Sequence, residues 1–265
     1  MRIWILWACL PLTAFAQNNW EELMQPNNVL QHKTNFSSPF IHHNAFGSIS
    51  MIDSGSIGIS VENKYSLKEL SKINLSGQFK MHNGGLGLHF NGMGNDVFNG
   101  ISFSVNYGLR LSRTFGLGIG IRSRRDQIRS LMPLFIIMPQ VGLVYFFSKK
   151  ASIGINLRKR FRPGIQLLPS YKEFGMISTS FGYQFDDQFY SAIELINDMR
   201  QPSYFNIYSE WQPSSRFNGY ILYQTRSTQM QVGFNYSLKK IQMGIGVAQH
   251  TYLGNSFYLT IHNVR

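Results

Sequence analysis

Past residue 54, apolar side chains fall on every second position, and that period constrains this chain more than any other feature. Phe115, Leu117, Ile119 and Ile121 alternate with Gly116, Gly118, Gly120 and Arg122. Ile101, Phe103, Val105, Tyr107 and Leu109 alternate with Ser102, Ser104, Asn106, Gly108 and Arg110. A period of two places successive side chains on opposite faces of a strand. No segment sustains a 3.6-residue period, so helices should be few. Charged residues are only 14% of the chain against 43% hydrophobic ones, well under the roughly 25% charge of soluble domains. The aromatic share of 14% excludes a disordered chain. The longest apolar run after the N-terminus, Leu131 to Ile137, is broken by Pro133 and falls short of the ~20 residues of a spanning helix. A single cysteine rules out a disulfide scaffold.

The alternation predicts about 14 strands, near 54–63, 71–82, 84–92, 99–111, 115–126, 136–147, 151–160, 173–185, 189–197, 204–212, 216–225, 229–238, 241–249 and 256–264. Every second connection is tight: Asn83-Gly84, Ser112 to Thr114, Ser148 to Lys150, Asp186 to Gln188, Pro213 to Ser215 and Lys239-Lys240. The intervening ones read as longer, at 64–70, 93–98, 127–135, 161–172, 198–203 and 250–255, with 226–228 the exception. Tight turns on one side and longer loops on the other mark an outer-membrane barrel. One strand face is Phe, Tyr, Leu, Ile and Val; the other is Gly, Ser, Asn, Gln and Arg. An all-β, antiparallel up-and-down transmembrane barrel with a polar lumen fits both faces. A soluble β-sandwich with long strands is the alternative.

Ahead of the strands, Arg2, an apolar stretch from Ile3 to Phe15 and the small-residue site Ala14-Phe15-Ala16 read as a signal peptide, residues 1–16. A lipoprotein reading of Cys9 is disfavoured by bulky Trp7. Residues 17–53 form a mixed segment, either a periplasmic tail or a plug in the lumen, and 54–265 form the barrel. An even strand number puts both ends of the barrel in the periplasm. Gly84, Gly85, Gly87, Gly116, Gly118, Gly120, Gly244 and Gly246 sit inside strands. There they leave lumen space or permit curvature.

Asn44-Ala45-Phe46-Gly47, followed by Gly58-Ile59-Ser60-Val61-Glu62-Asn63-Lys64-Tyr65-Ser66-Leu67-Lys68-Glu69-Leu70, resembles the start of the PorV/PorQ-like outer-membrane proteins of Bacteroidetes, in the superfamily of the long-chain fatty-acid transporter FadL. The resemblance is clearest over 44–125. The chain departs from the family's first element in carrying Ala45 where proline follows the asparagine. The resemblance implies a 14-stranded barrel with a lumenal N-terminal segment. It also implies either transport of lipids or hydrophobic compounds, or an accessory role in type IX secretion.

Two basic clusters stand at strand ends on the long-loop side: Arg122, Arg124, Arg125 and Arg129, and Arg158, Lys159, Arg160 and Arg162. Parity turns Arg122, Arg124, Arg158 and Arg160 inward. Guanidinium groups bind carboxylate and phosphate in bidentate fashion, so these four are candidate anion contacts for a hydrophobic or amphipathic ligand. The competing reading is a solvated rim with lumen ion pairs to Glu62, Glu194 and Glu210. The outward members, Arg125 and Lys159, are candidates for lipid A phosphates of outer-membrane lipopolysaccharide. A second function class is partner docking, with secretion-machine proteins held by loops 127–135 and 161–172 through Leu131, Leu134 and Phe135.

No cofactor is expected. Adjacent His42 and His43 point opposite ways on an extended chain and lack a companion cluster, so no metal is expected. An enzyme is not expected: no Gly-x-Ser-x-Gly element is present. Nucleic acid is excluded by compartment, despite the net charge of +12. Tyr145, Phe147, Trp211, Tyr220, Tyr223, Tyr236 and Tyr258 are expected in aromatic girdles at the membrane surfaces.

Overall fold

The computed structural model describes residues 49–52, 55–67, 70–95, 97–129, 132–162, 175–199 and 201–264. Among them, fourteen antiparallel strands close into a barrel. They are β1 Ser56–Asn63, β2 Ser71–Met81, β3 Gly84–Gly94, β4 Phe98–Arg110, β5 Phe115–Ile128, β6 Leu134–Phe146, β7 Ala151–Lys159, β8 Gly175–Gln184, β9 Phe189–Asp198, β10 Tyr204–Ser214, β11 Phe217–Gln224, β12 Gln229–Leu238, β13 Ile241–His250 and β14 Gly254–Val264. Each expected strand is present, with ends within two residues of the alternation reading. Each strand pairs with its sequence neighbours. β1 closes on β14 from Ser56↔Val264 to Asn63↔Phe257, so the sheet has no free edge.

The connections differ from expectation on one side. The longer set shrinks to 95–97 between β3 and β4, 129–133 between β5 and β6, and 251–253 between β13 and β14. Ladder rungs such as Phe98↔Ile128 and Asp126↔Leu134 continue past the point where apolar alternation fades. Backbone hydrogen bonds do not depend on side-chain polarity, so the sheet outlasts the pattern that revealed it. The connection from β7 to β8 remains long, and most of it lies outside the described residues.

Between β1 and β2 the chain makes a 3-10 turn, Lys64–Ser66, with Tyr65 and Ser66 at φ 54° and 57°. Such left-handed backbone is costly for residues with a Cβ. The Tyr65 N–H is held by Ser256 Oγ at 2.9 Å, and the Tyr65 ring sits edge-on to His250 at 5.7 Å. This turn belongs to the motif that carries the family resemblance.

Two prolines mark irregularities in the wall. Pro139 lies mid-strand in β6, and the β6–β7 ladder stops at Gln140↔Arg158. It is resumed by one bridge, Ile137↔Phe161. Proline has no N–H for the missing rung. Pro213 sits where the β10–β11 register shifts, between Trp211 and Ser214.

Alternation sorts the side chains as the sequence predicts. Ile57, Ile59, Ile119, Ile121 and Ile245 are each at least 44% exposed on the outer face. Inside, Asn74, Asn91, Ser102, Asn106 and Gln140 are buried. An apolar exterior around a polar interior suits lipid outside the barrel. Phe115, Tyr145 and Phe147 pack on one another at the tight-turn end, as do Tyr183, Phe185 and Phe189, with Trp211 and Tyr236 also exposed. These form the expected girdle. Tyr220 and Tyr258 do not: at 3% and 5% exposure they point into the lumen, because both carry the inward parity of their strands.

Ile119→Arg, mid-height on the outer face, should cost about 2–4 kcal/mol, while Ser123→Arg, nearer the outer end, should cost about 0–1 kcal/mol. Urea unfolding in lipid vesicles reads the difference. Equal costs would argue against a lipid-facing exterior.

Candidate functional site: the lumen

Glycines decide what fills the lumen. Tyr220, Gly233, Gly246 and Tyr258 occupy one cross-strand row over β11, β12, β13 and β14. The two tyrosines lean over the two glycines until their hydroxyls meet, Tyr220 Oη donating to Tyr258 Oη at 2.8 Å. Tyr258 Oη in turn donates to the Val232 carbonyl at 2.9 Å. A Cβ on Gly246 would collide with the Tyr258 ring and hydroxyl. Tyr190 and Tyr208 extend the aromatic array, with ring centroids 6.3 Å apart and Tyr208 to Tyr220 at 5.9 Å. Glu210, 1% exposed, accepts from Tyr208 Oη at 2.5 Å and from Asn218 Nδ2 at 2.6 Å.

The opposite wall uses the same device. Gly120 stands between Asn106 and Gln140, and its missing side chain lets Gln140 Nε2 donate across β5 to Asn106 Oδ1 at 2.8 Å. Residues Ile49, Ser50 and Met51 are buried inside the barrel near its tight-turn end. Ile49 lies over Gly85 and Gly87, and the backbone at Ser50 lies over Gly108. The Arg110 guanidinium donates to the Ser50 carbonyl at 3.2 Å. Met51 packs on Val144 and Phe146. The earlier part of the 17–53 segment, to residue 48, lies outside the described residues, as do His42 and His43.

Charge is distributed unevenly around the wall. Arg122 and Arg124 on β5 are 3% and 5% exposed. Arg122 feels the charges of Arg124 and Arg158, and Arg158 in turn those of Arg160, Glu194 and Asp198. The structure thus brings the four predicted arginines into one neighbourhood. Arg158 and Arg160 share a small pocket at the end of β7 with Met138, Met176 and Asp198. Of the glutamates proposed as ion-pair partners, Glu194 lies near Arg158, Glu62 pairs with Lys64 at 3.5 Å, and Glu210 is held by neutral groups. Arg124 pairs with Asp126, Nε to Oδ1 at 2.7 Å.

Arg122 is different. Its Nε and one terminal nitrogen are buried and meet no hydrogen-bond partner among the described residues. The nearby Ser104 Oγ and Gln140 Oε1 are likewise unmatched. Lys72, 4% exposed, joins this basic wall from β2, within reach of the Arg122 and Arg124 charges. Sequence reasoning passed over Lys72, although it shares the inward parity of Asn74 and Gln78 and faces Glu62 across the ladder.

Three inward arginines of β5 and β7 also have an apolar cross-strand neighbour on the inner face. Arg122 faces Met138, Arg124 faces Ile136, and Arg158 faces Met176. Further inward apolar groups stand at the same end of the barrel: Met93 with Phe98, and Ile196 with Tyr204. The lumen mouth is therefore amphipathic, with guanidinium groups set beside methionine and isoleucine.

His89 and Ser104 face each other across the β3–β4 ladder. Among the described residues Ser104 Oγ makes no hydrogen bond, with His89 or with any other group. Among the described residues no three His, Cys, Asp or Glu side chains are grouped to hold a metal. Leu134 and Phe135 lie in β6 rather than in a loop, with Phe135 47% exposed on the outer face; Leu131 lies outside the described residues.

No protein-family model matches the sequence, and no curated protein does. Solved structures match in fold. The toluene transporter TodX of Pseudomonas putida aligns with a TM-score of 0.57 at 7% identity, over 91% of this chain and 98% of that one. A FadL homologue of Pseudomonas aeruginosa aligns with a TM-score of 0.57 at 8% identity, over 91% and 96%. The CymD monoaromatic hydrocarbon channel aligns at 0.56 and 8%, over 87% and 93%. At this identity the likeness is one of fold.

Two outcomes follow. Gly246→Val should expel Tyr258 from its place and destabilise the barrel by about 1–3 kcal/mol, read by urea unfolding in detergent. Arg122→Met removes a buried charge that has, among the described residues, no hydrogen-bonding partner for two of its nitrogens. It should stabilise the ligand-free barrel by about 1–4 kcal/mol in the same assay.

Proposed function

We propose that the chain is a non-enzymatic outer-membrane barrel of FadL type. Its lumen mouth takes an amphipathic acid, a carboxylate or similar anionic head carried on a hydrocarbon chain. The observation that carries this reading is Arg122: a guanidinium 3% exposed, with two nitrogens unpartnered among the described residues, beside Met138. A buried cation left in that state is expensive, and an anionic head supplies what it lacks. Arg124, Arg158 and Arg160 add positive potential, while Ile136, Met138 and Met176 offer apolar surface for the chain. The fold neighbours described as toluene and monoaromatic hydrocarbon channels handle apolar cargo, which is in keeping with this class. The proposal includes export by the segment 1–16, with the mature chain starting at Gln17, and a lumenal plug formed by 17–53, of which Ile49 to Met51 sit on the glycine seat.

Docking of secretion-machine proteins is the weaker reading. The apolar stretch that suggested it is largely strand β6: Phe135 and Ile137 belong to the outer face, and Met132, 93% exposed, is the member left in the short 129–133 connection.

Dodecanoate and dodecanol, identical in chain length, separate head from tail. The detergent-solubilised barrel should retain dodecanoate in native mass spectrometry. Arg122→Gln with Arg158→Gln should weaken that binding by about tenfold or more, since charge-assisted hydrogen bonds contribute about 1.5–3 kcal/mol each. Dodecanol binding should not change. Equal loss of both ligands, or of neither, would overturn the anion site.

A further inference from the structure

The outer face of the barrel is almost without charge. Among the described strand residues whose parity points them outward, only Arg125 on β5 and Lys159 on β7 are ionised. Both are cations, both are exposed, and both stand at the end of the barrel away from the tight turns.

The two cations belong to one patch. The Arg125 guanidinium lies over the Phe135 ring, 5.9 Å from its centroid, and faces Phe135 across the β5–β6 ladder. Lys159 Nζ lies over the Phe161 ring at 4.9 Å. Phe161 is bonded to Ile137 of β6 by both backbone groups, at 2.9 and 2.8 Å. Phe135 and Phe161 are therefore diagonal neighbours on one face, a relation that spans about 7–8 Å between strands. Arg125 Nη2 also donates to Gln127 Oε1 at 2.7 Å, which holds the guanidinium at the outer end. Toward the barrel middle, Ile137, Val141 and Leu157 present bare hydrocarbon.

We infer that this patch, Arg125 and Lys159 on Phe135 and Phe161, is a binding site for the phosphate of an outer-leaflet glycolipid. Charge decides the head: two cations, with no acid among the described outward strand residues, select an anion, and guanidinium with ammonium suits a phosphate monoester. Position decides the rest. The cations stand above an apolar wall, so the occupant must carry acyl chains that lie along Ile137, Val141 and Leu157. The aromatic rings keep both cations at the level of the headgroups, where aliphatic stems lie in hydrocarbon and charged ends reach the polar layer. The site is separate from the lumen, because strand parity puts Arg124 and Arg158 on the other side of the same wall.

The test uses the whole mature barrel in mild detergent, with native mass spectrometry as readout. Bisphosphorylated lipid A should remain bound, and fully dephosphorylated lipid A should not. Arg125→Gln with Lys159→Gln should weaken retention by about thirtyfold, roughly fivefold for each cation near a lipid surface. Arg125→Lys with Lys159→Arg, which keeps both charges, should bind within about fivefold of the original. Equal retention of the two lipids, or full retention by the double glutamine variant, would overturn the site. Heat-dependent gel mobility checks that each variant is a folded barrel. Dodecanoate binding by the glutamine variant should stay unchanged, so this inference and the lumen proposal fail separately.

Discussion

Closure of β1 on β14 is the interaction on which the rest of the molecule depends. Lipid offers no hydrogen bonds, so every strand N–H and C=O must find its partner within the sheet. The eight rungs from Ser56↔Val264 to Asn63↔Phe257 meet that demand for the first and last strands. Once the sheet is closed, each strand has one face in lipid and one in the lumen, and the period of two becomes a sorting rule. The chain tolerates a missing rung at Pro139 and a register shift near Pro213 only because the neighbouring rungs hold the wall.

Closure also makes the interior a scarce volume, shared out by glycine. Gly233 and Gly246 admit the Tyr220–Tyr258 contact, Gly120 admits the reach from Gln140 to Asn106, and Gly85, Gly87 and Gly108 admit residues 49–51. What remains is uneven. One side of the wall carries tyrosines with Glu210, the other carries Arg122, Arg124 and Lys72, and Arg158 and Glu194 stand near each other between them. Strands β5 and β7 are basic on both faces, since Arg124 and Arg125, or Arg158 and Lys159, are neighbours in sequence and opposites in direction.

Much of this was legible in the alternation alone. Strand number, strand ends and the inward direction of Arg122 and Arg124 came from a period that needs no tertiary information. The misplaced features share one physical cause, which is that side-chain chemistry was read as location. Tyr220 and Tyr258 looked like interfacial aromatics by type, yet parity and two facing glycines put them in the lumen. Leu134 and Phe135 looked like an apolar loop, yet backbone pairing carries β6 through them. Lys72 was passed over because its basic companions Arg122 and Arg124 are on β5, far away in sequence and close only across the lumen wall.

The sequence by itself determined the two-faced strand, and with it a closed barrel having apolar skin and polar lining, because side-chain direction in a strand is a local property. Only the tertiary structure decided which inward groups meet. That two Arg122 nitrogens lack a partner among the described residues while Arg124 has Asp126, that Tyr220 reaches Tyr258, and that Phe135 and Phe161 bring Arg125 and Lys159 into one patch all depend on ladder register. Register is set by the closure of all fourteen strands together, and no single stretch of the chain contains it.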